Sequence, residues 1–223
     1  MKQANLKHLN TTLINNRFSS KSESADVLAD IYQDDVNISI WKRTISPELK
    51  EAANCIIDAK PSLKLSASLD QQSTLSTLFT PLGANANAKL VSEDVRELVS
   101  MFSYLFDLKT VGLRLAVLDS AMCPKFHVDR VPCRLVTTYC GIATQWISHN
   151  DVDRSKLGMG SQGKGDEESG IYRDINHINQ LTFGDVAILK GESWLGNEGA
   201  GLVHRSPKVR ENKKRLLLTL DFN

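Results

Sequence analysis

The segment Cys123 to Trp146 (CPKFHVDRVPCRLVTTYCGIATQW) holds a closely spaced pair of metal-binding types, His127 and Asp129, with one valine between them. Alternate side chains of an extended backbone share a face, so this imidazole and carboxylate point the same way. A third ligand must come from elsewhere in the chain, and His204, in the segment GLVHRSP, is the candidate. Two His and one carboxylate on one side of Fe(II) leave the remaining positions open for a co-substrate and O2. The same triad could hold Zn(II), with or without a Cys. Structural zinc sites are closed and four-coordinate, so an open face points to catalysis, catalytic zinc included.

The elements that must position these residues lie downstream of Thr110. VGLRLAVLDS, CRLVTTYCG, LTFGDVAILKG and the terminal RLLLTLDF are short strand-like runs separated by Gly, Pro, Asp and Asn. Such spacing predicts an antiparallel sandwich or barrel. In the last run Arg215, Leu217, Thr219 and Asp221 fall on one face, and Leu216, Leu218, Leu220 and Phe222 on the other. The apolar face is expected to pack on helices and the mixed face to look into a cavity. Arg215 then needs an anionic partner, since an unpaired buried charge is costly; Asp221 is an internal candidate. Trp146 and Trp194 either shape a pocket or belong to the core, the commoner role of large aromatics. His149 and His177 are read as solvent-exposed.

The first half of the chain reads as mainly helical scaffolding. Residues 1–35 are polar and read as an N-terminal extension in which His8 is solvated, ahead of one domain over 36–223. Asn37 to Arg43 alternates like a short strand. Ser46-Pro47-Glu48 predicts a helix start, and the helix runs to about Ala59, since Lys60 precedes Pro61. Residues 61–91 give no clear element beyond a helical turn around Leu75, Leu78 and Phe79. A second helix is predicted from Ser92 to about Asp107. Residues 148–170 hold five glycines and many charges. They predict a flexible loop, either plain surface or a lid over the metal site.

The chain's 223 residues suit one domain, and 41% hydrophobic with 24% charged residues is ordinary for a globular protein. A formal net charge of +1 gives no global attraction to nucleic acid or membranes. The basic run Arg205 to Arg215 reads as a solvated turn rather than a phosphate-binding patch, so a nucleic-acid partner is not expected. No signal peptide or membrane span is legible, which makes the cytoplasm the default location. Four Cys without a CxxC pair read as free thiols, with a metal or sensor role for the Cys133 to Cys140 region as the alternative. The sequence is compatible with a homo-oligomer but does not indicate one.

HxD at 127 and 129, a distal His204 and Arg215 opening the last strand come in the order found in Fe(II)- and 2-oxoglutarate-dependent dioxygenases. The C-terminal half, Val111 to Phe222, resembles that family. The resemblance implies an α+β fold with a double-stranded β-helix (jelly-roll, cupin-like) core and N-terminal helices packed on one sheet. It implies that His127, Asp129 and His204 bind Fe(II) and that Arg215 binds the distal carboxylate of 2-oxoglutarate. Tyr139 or Thr137, on a neighbouring strand, would assist; if the other face of that strand looks inward, Arg134 replaces Tyr139. The substrate, a small molecule or a protein, is left open. More finely, RLVTTYCGIATQWI, GDVAILKGESW and RLLLTLDF look like a bacterial family labelled domain of unknown function 1826. The rival to an oxygenase is a metal-binding, cupin-like protein of metal homeostasis.

Overall fold

Alternating side chains divide the molecule into layers about one large sheet. A computed structural model describes residues 16–70 and 72–223. The strands are β1 (Phe18–Ser22), β2 (Val36–Trp41), β3 (Lys64–Leu69), β4 (Val111–Leu118), β5 (Cys133–Cys140), β6 (Gln145–Ile147), β7 (Ile178–Gln180), β8 (Val186–Lys190), β9 (Val203–Arg205) and β10 (Arg215–Phe222). The α-helices are α1 (Pro47–Ala59), α2 (Thr74–Phe79), α3 (Ala86–Phe106) and the single turn α4 (Asp166–Ser169). Seven strands form one sheet in the order β1-β2-β8-β5-β10-β4-β3, and three form a second in the order β7-β6-β9. The result is a mixed α/β fold with a large sheet.

In β10 the even-numbered Leu216, Leu218 and Leu220 enter the main core with Ala52, Ile56, Val95, Leu98 and Phe102 of α1 and α3. This is the expected apolar face. Between the two sheets lies a second cluster, with Ile38, Ile40, Val136, Ala187 and Leu189 from the large sheet against Trp146 of the small one. Trp146 is therefore core. Trp194 packs at the edge of the main cluster, in contact with Tyr32 and Phe106.

Helix α1 begins where its cap predicts: the Ser46 hydroxyl accepts from Leu49 N–H and Pro47 takes the first helical position. Helix α3 begins six residues before the expected Ser92, because Asn85 is the true cap and accepts from Ala88 N–H at 2.9 Å. Ser92 instead lies inside the helix, buried. Strand β3 lies within residues 61–91, where the sequence pattern gives no clear strand. Its small Ser and Ala residues form an edge strand paired antiparallel with β4.

The expected extension ends too late at residue 35. Phe18–Ser22 pairs in parallel with β2, and a 3-10 helix over Ala25–Tyr32, capped by Ser24, buries Val27, Leu28 and Ile31. Residues 1–15, His8 among them, lie outside the described residues. The Gly-rich 148–170 segment also differs from expectation: it forms 3-10 turns at 149–151, 154–156 and 158–161, then α4. It lies over Phe126, Ile147, Ile171 and Val203, with Val152, Leu157 and Tyr172 packed alongside. Among the described residues, no helix is long and apolar enough to cross a membrane.

Candidate metal centre and its cavity

His127 does not sit on a regular strand. It forms an isolated bridge with His204 of β9, each backbone N–H donating to the other's carbonyl at 3.0 Å. That reciprocal pair brings two imidazoles from distant segments together, with ring centroids 4.6 Å apart. Asp129 is placed by the end of β8: Glu192 N–H donates to the Asp129 carbonyl at 2.9 Å, and Gly191 N–H to the Pro132 carbonyl at 2.8 Å. Gly191 is needed for this approach, because a Cβ there would lie 2.0 Å from the Val131 carbonyl oxygen.

His127, Asp129 and His204 each offer one ligand atom, all within 4.8 Å of one another. The carbonyl of Lys125 faces His127 Nδ1 at 2.9 Å, and that of Leu202 faces His204 Nδ1 at 3.1 Å. A carbonyl can only accept, so both protons sit on Nδ1 and both Nε2 lone pairs point at the carboxylate side. His204 Nε2 lies 3.3 Å from Asp129 Oδ2, and His127 Nε2 lies 3.8 Å from Oδ1. Burial, then the neighbouring His204, lowers the His127 pKa and favours its neutral, ligating form. Burial pushes the Asp129 carboxyl up, but a His204 protonated on Nε2 as well, with Arg134 and His127, outweighs it and brings it down to about 2. With both imidazoles neutral, Arg134 is the cation that still favours the carboxylate. Two neutral imidazoles and an ionised carboxylate are a donor set suited to Fe(II) or another borderline divalent ion.

Arg134 orders this acid from behind. It donates to Asp129 Oδ2 at 2.8 Å while holding Asp221 through two bonds of 2.6 and 3.0 Å. Asp221 is thus Arg134's partner and not Arg215's. The cavity beside the triad is lined by His127, His204, Arg134, Val136, Thr144, Ser206, Arg215, Leu217 and Thr219, with Arg114, Ala116, Met122, Cys123 and Arg205 completing it. Arg215 does face inward, and it is fully buried. Its guanidinium reaches the hydroxyls of Ser206 and Thr138 at 3.3 Å and of Thr144 at 3.4 Å. Nε has no partner, and burial lowers the pKa to about 10.

Tyr139 and Thr137 are not in this cavity. Tyr139 belongs to the main core beneath the helices, where its hydroxyl donates to Asp94 at 2.6 Å. Thr137 opposes Leu218, on the same helical face. The inward face of β5 carries Arg134, Val136 and Thr138, so Arg134 takes the place considered for Tyr139, and Thr138 stands where Thr137 was expected. A bulge contributes to the ambiguity: Leu216 pairs with Cys140 but Leu217 with Thr138, which leaves Tyr139 as an extra residue. His177, 3.7 Å from Asp151, and His149, near Arg154, are half-buried rather than solvent-exposed, and neither belongs to the triad cluster. Cys133 is buried; Cys123, exposed, lines the cavity.

The 148–170 segment is tied to the site. Asp166 of α4 accepts from Phe126 N–H at 3.0 Å and from Arg205 at 2.8 Å, bracketing His127 and His204 by their sequence neighbours. Lys125 Nζ donates to the Lys164 carbonyl at 2.8 Å. Arg114, Thr144, Ser206 and Asp166 carried no motif by which the sequence alone could single them out.

Solved structures share the fold at low identity. The rice dioxygenase for auxin oxidation is 11% identical with a TM-score of 0.51, over 93% of this chain and 83% of that one. JOX2, solved with 2OG, Fe and JA, is 14% identical with a TM-score of 0.50, over 93% and 75%. A full-length Neurospora crassa protein, solved in complex with alpha-KG, is 11% identical with a TM-score of 0.50, over 90% and 78%. No curated protein matches the sequence. The family described as protein of unknown function (DUF1826) matches residues 22–221, nearly the whole chain, and the protein belongs to that family.

Proposed function

We propose that the protein is an Fe(II)- and 2-oxoglutarate-dependent oxygenase, its two facing sheets forming a double-stranded β-helix around the site. The observation that carries this reading is Arg215: a fully buried cation, cradled by hydroxyls and lacking an acid, in the same cavity as a two-His, one-carboxylate cluster. A ligand with one carboxylate for that guanidinium and a second group for the metal satisfies both ends of the cavity.

His127 and His204 would hold the ion through Nε2, and Asp129 would supply the negative charge. When bound, iron(II) and 2-oxoglutarate would activate O2, the oxidant: 2-oxoglutarate gives up two electrons and is decarboxylated to succinate and CO2, and a substrate C–H bond gives up the other two and is hydroxylated. The protein's share is positional. Arg134 keeps Asp129 oriented, the Nδ1 bonds fix both imidazoles, and Arg215 receives the distal carboxylate beside the hydroxyls of Thr138, Thr144 and Ser206. Ala116, Val136 and Leu217 exclude water between them.

The test is succinate formation from 2-oxoglutarate by anaerobically purified protein, given Fe(II) and then O2 with no other substrate. Metal content is measured on this protein and on His204→Ala. Slow iron-dependent turnover, lost in the variant, is expected. Tightly held zinc with no turnover would overturn the proposal in favour of non-catalytic metal binding.

A further inference from the structure

Four arginines line the cavity, and they differ in how their charge is met. Arg134 is held by Asp129 and Asp221, and Arg205 by Asp166. Arg215 has only hydroxyls. Arg114, on β4, has no hydrogen bond or ion pair among the described residues and stays exposed at the open side of the cavity. Directly across from it on β10 is Thr219, only 9% exposed, whose hydroxyl lines the cavity without a partner. The cavity therefore holds two cations not matched by an acid and one orphaned hydroxyl.

The two cations are separate stations. Arg215 and Thr219 are four residues apart on one strand, a span of roughly 13 Å. Ala116 and Leu217, a cross-strand pair, lie between the stations. If the proposed function holds, 2-oxoglutarate spends one carboxylate at the metal and the other at Arg215. Nothing in it is left for Arg114.

We infer that Arg114 and Thr219 form the anchor for the primary substrate, a monocarboxylic acid whose apolar body lies along Ala116, Val136, Leu217 and Met122. A guanidinium presents paired N–H donors that match a carboxylate, and the Thr219 hydroxyl adds a third donor. One cation suits a monoanion; a phosphate dianion would call for two. Naming the ligand as the substrate rests on the oxygenase reading, whereas the anion site itself does not.

The probes are hexanoate and hexanamide, alike in apolar body and different in charge, titrated by calorimetry into metal-loaded protein saturated with 2-oxoglutarate. Wild type should bind hexanoate about 10-fold more tightly than hexanamide, the worth of one charge-assisted contact. Arg114→Gln should erase that preference, and Arg114→Lys should keep part of it, which separates charge from folding. Equal binding of the two probes by wild type, or a preference that survives in Arg114→Gln, overturns the inference. So does competition between hexanoate and 2-oxoglutarate, which would place the probe at Arg215. Carboxylate preference without succinate formation would remove the oxygenase reading and leave the anion site standing; turnover without preference would do the reverse.

Discussion

Two arginines on opposite sides of one sheet, Arg43 largely buried and Arg215 fully buried, are treated in opposite ways. Beneath the helices, Arg43 makes two bonds of 2.7 and 3.2 Å to Asp94, whose carboxylate also accepts from Tyr139. Burial would lower the Arg43 pKa, but Asp94 outweighs it and the pKa rises. In the cavity, Arg215 has three long contacts to hydroxyls, an unpartnered Nε and a pKa brought down to about 10 by burial. The first cluster is electrostatically closed and needs nothing more. The second has no acid in contact among the described residues, and under the proposed function the distal carboxylate of 2-oxoglutarate completes it.

The comparison breaks first at Asp94. Asp94→Ala strands a buried guanidinium and should cost about 3–5 kcal/mol, read from urea unfolding. A loss below about 1 kcal/mol would mean that the cluster is no more closed than a surface pair. Arg215→Met should act with the opposite sign on stability. A shift from 12.5 to about 10 corresponds to about 3 kcal/mol of burial cost as an upper figure. The ligand-free variant should therefore melt at or above the wild-type temperature while losing any stabilisation by added 2-oxoglutarate. A lower melting temperature would show that the hydroxyl cradle compensates the charge unaided. Arg134→Gln probes the cation between the two extremes. It frees Asp129 from its orienting partner and should weaken metal binding about 10- to 100-fold, measured by competition with a chelator.

The gathering of the candidate ligands was legible because metal-binding types at this spacing stand out from their neighbours. His127, Asp129 and His204 follow from ligand chemistry, and the inward turn of Arg215 follows from alternation along RLLLTLDF, whose other face is wholly apolar. The neighbouring strand is apolar on neither face alone. CRLVTTYC puts Arg134 on one side and Tyr139 on the other, and period-two alternation does not say which side a sheet buries under helices. Tyr139 lost its expected role because Asp94, far away in sequence, gives its hydroxyl a partner. Phe18–Ser22 is an edge strand with no apolar stripe, whereas Lys64–Leu69 carries a short one, Leu65, Ala67 and Leu69, that packs on the main core. The Gly-rich segment is ordered by long-range bonds from Asp166, and local composition holds no trace of those.

A third buried cation sharpens the contrast. Lys190 is 1% exposed and lies on the helical side; its ammonium donates to the Gln33 carbonyl at 2.8 Å and sits 5.1 Å from the Trp194 ring. It too has no acid in contact among the described residues, yet a carbonyl and an aromatic face fill its surroundings, whereas Arg215 has only a hydroxyl cradle. Burial lowers its pKa to about 8 from 10.5, and across the sheet burial raises the Cys133 thiol from 9.0 to about 12. Between pH 8 and 10.5 the unfolded chain binds more protons at Lys190 than the folded one does, so this residue makes stability rise with pH. Between pH 9 and 12 Cys133 acts in the opposite direction, because its thiol ionises earlier in the unfolded chain. From these two groups wild-type stability should climb from about pH 8 to 9 and level off above it, before the other buried groups titrate. Lys190→Met should abolish the climb and begin to fall near pH 9, in urea titrations at stepped pH. A climb that persists in Lys190→Met would assign it to another group and leave Lys190 as well solvated as a surface lysine.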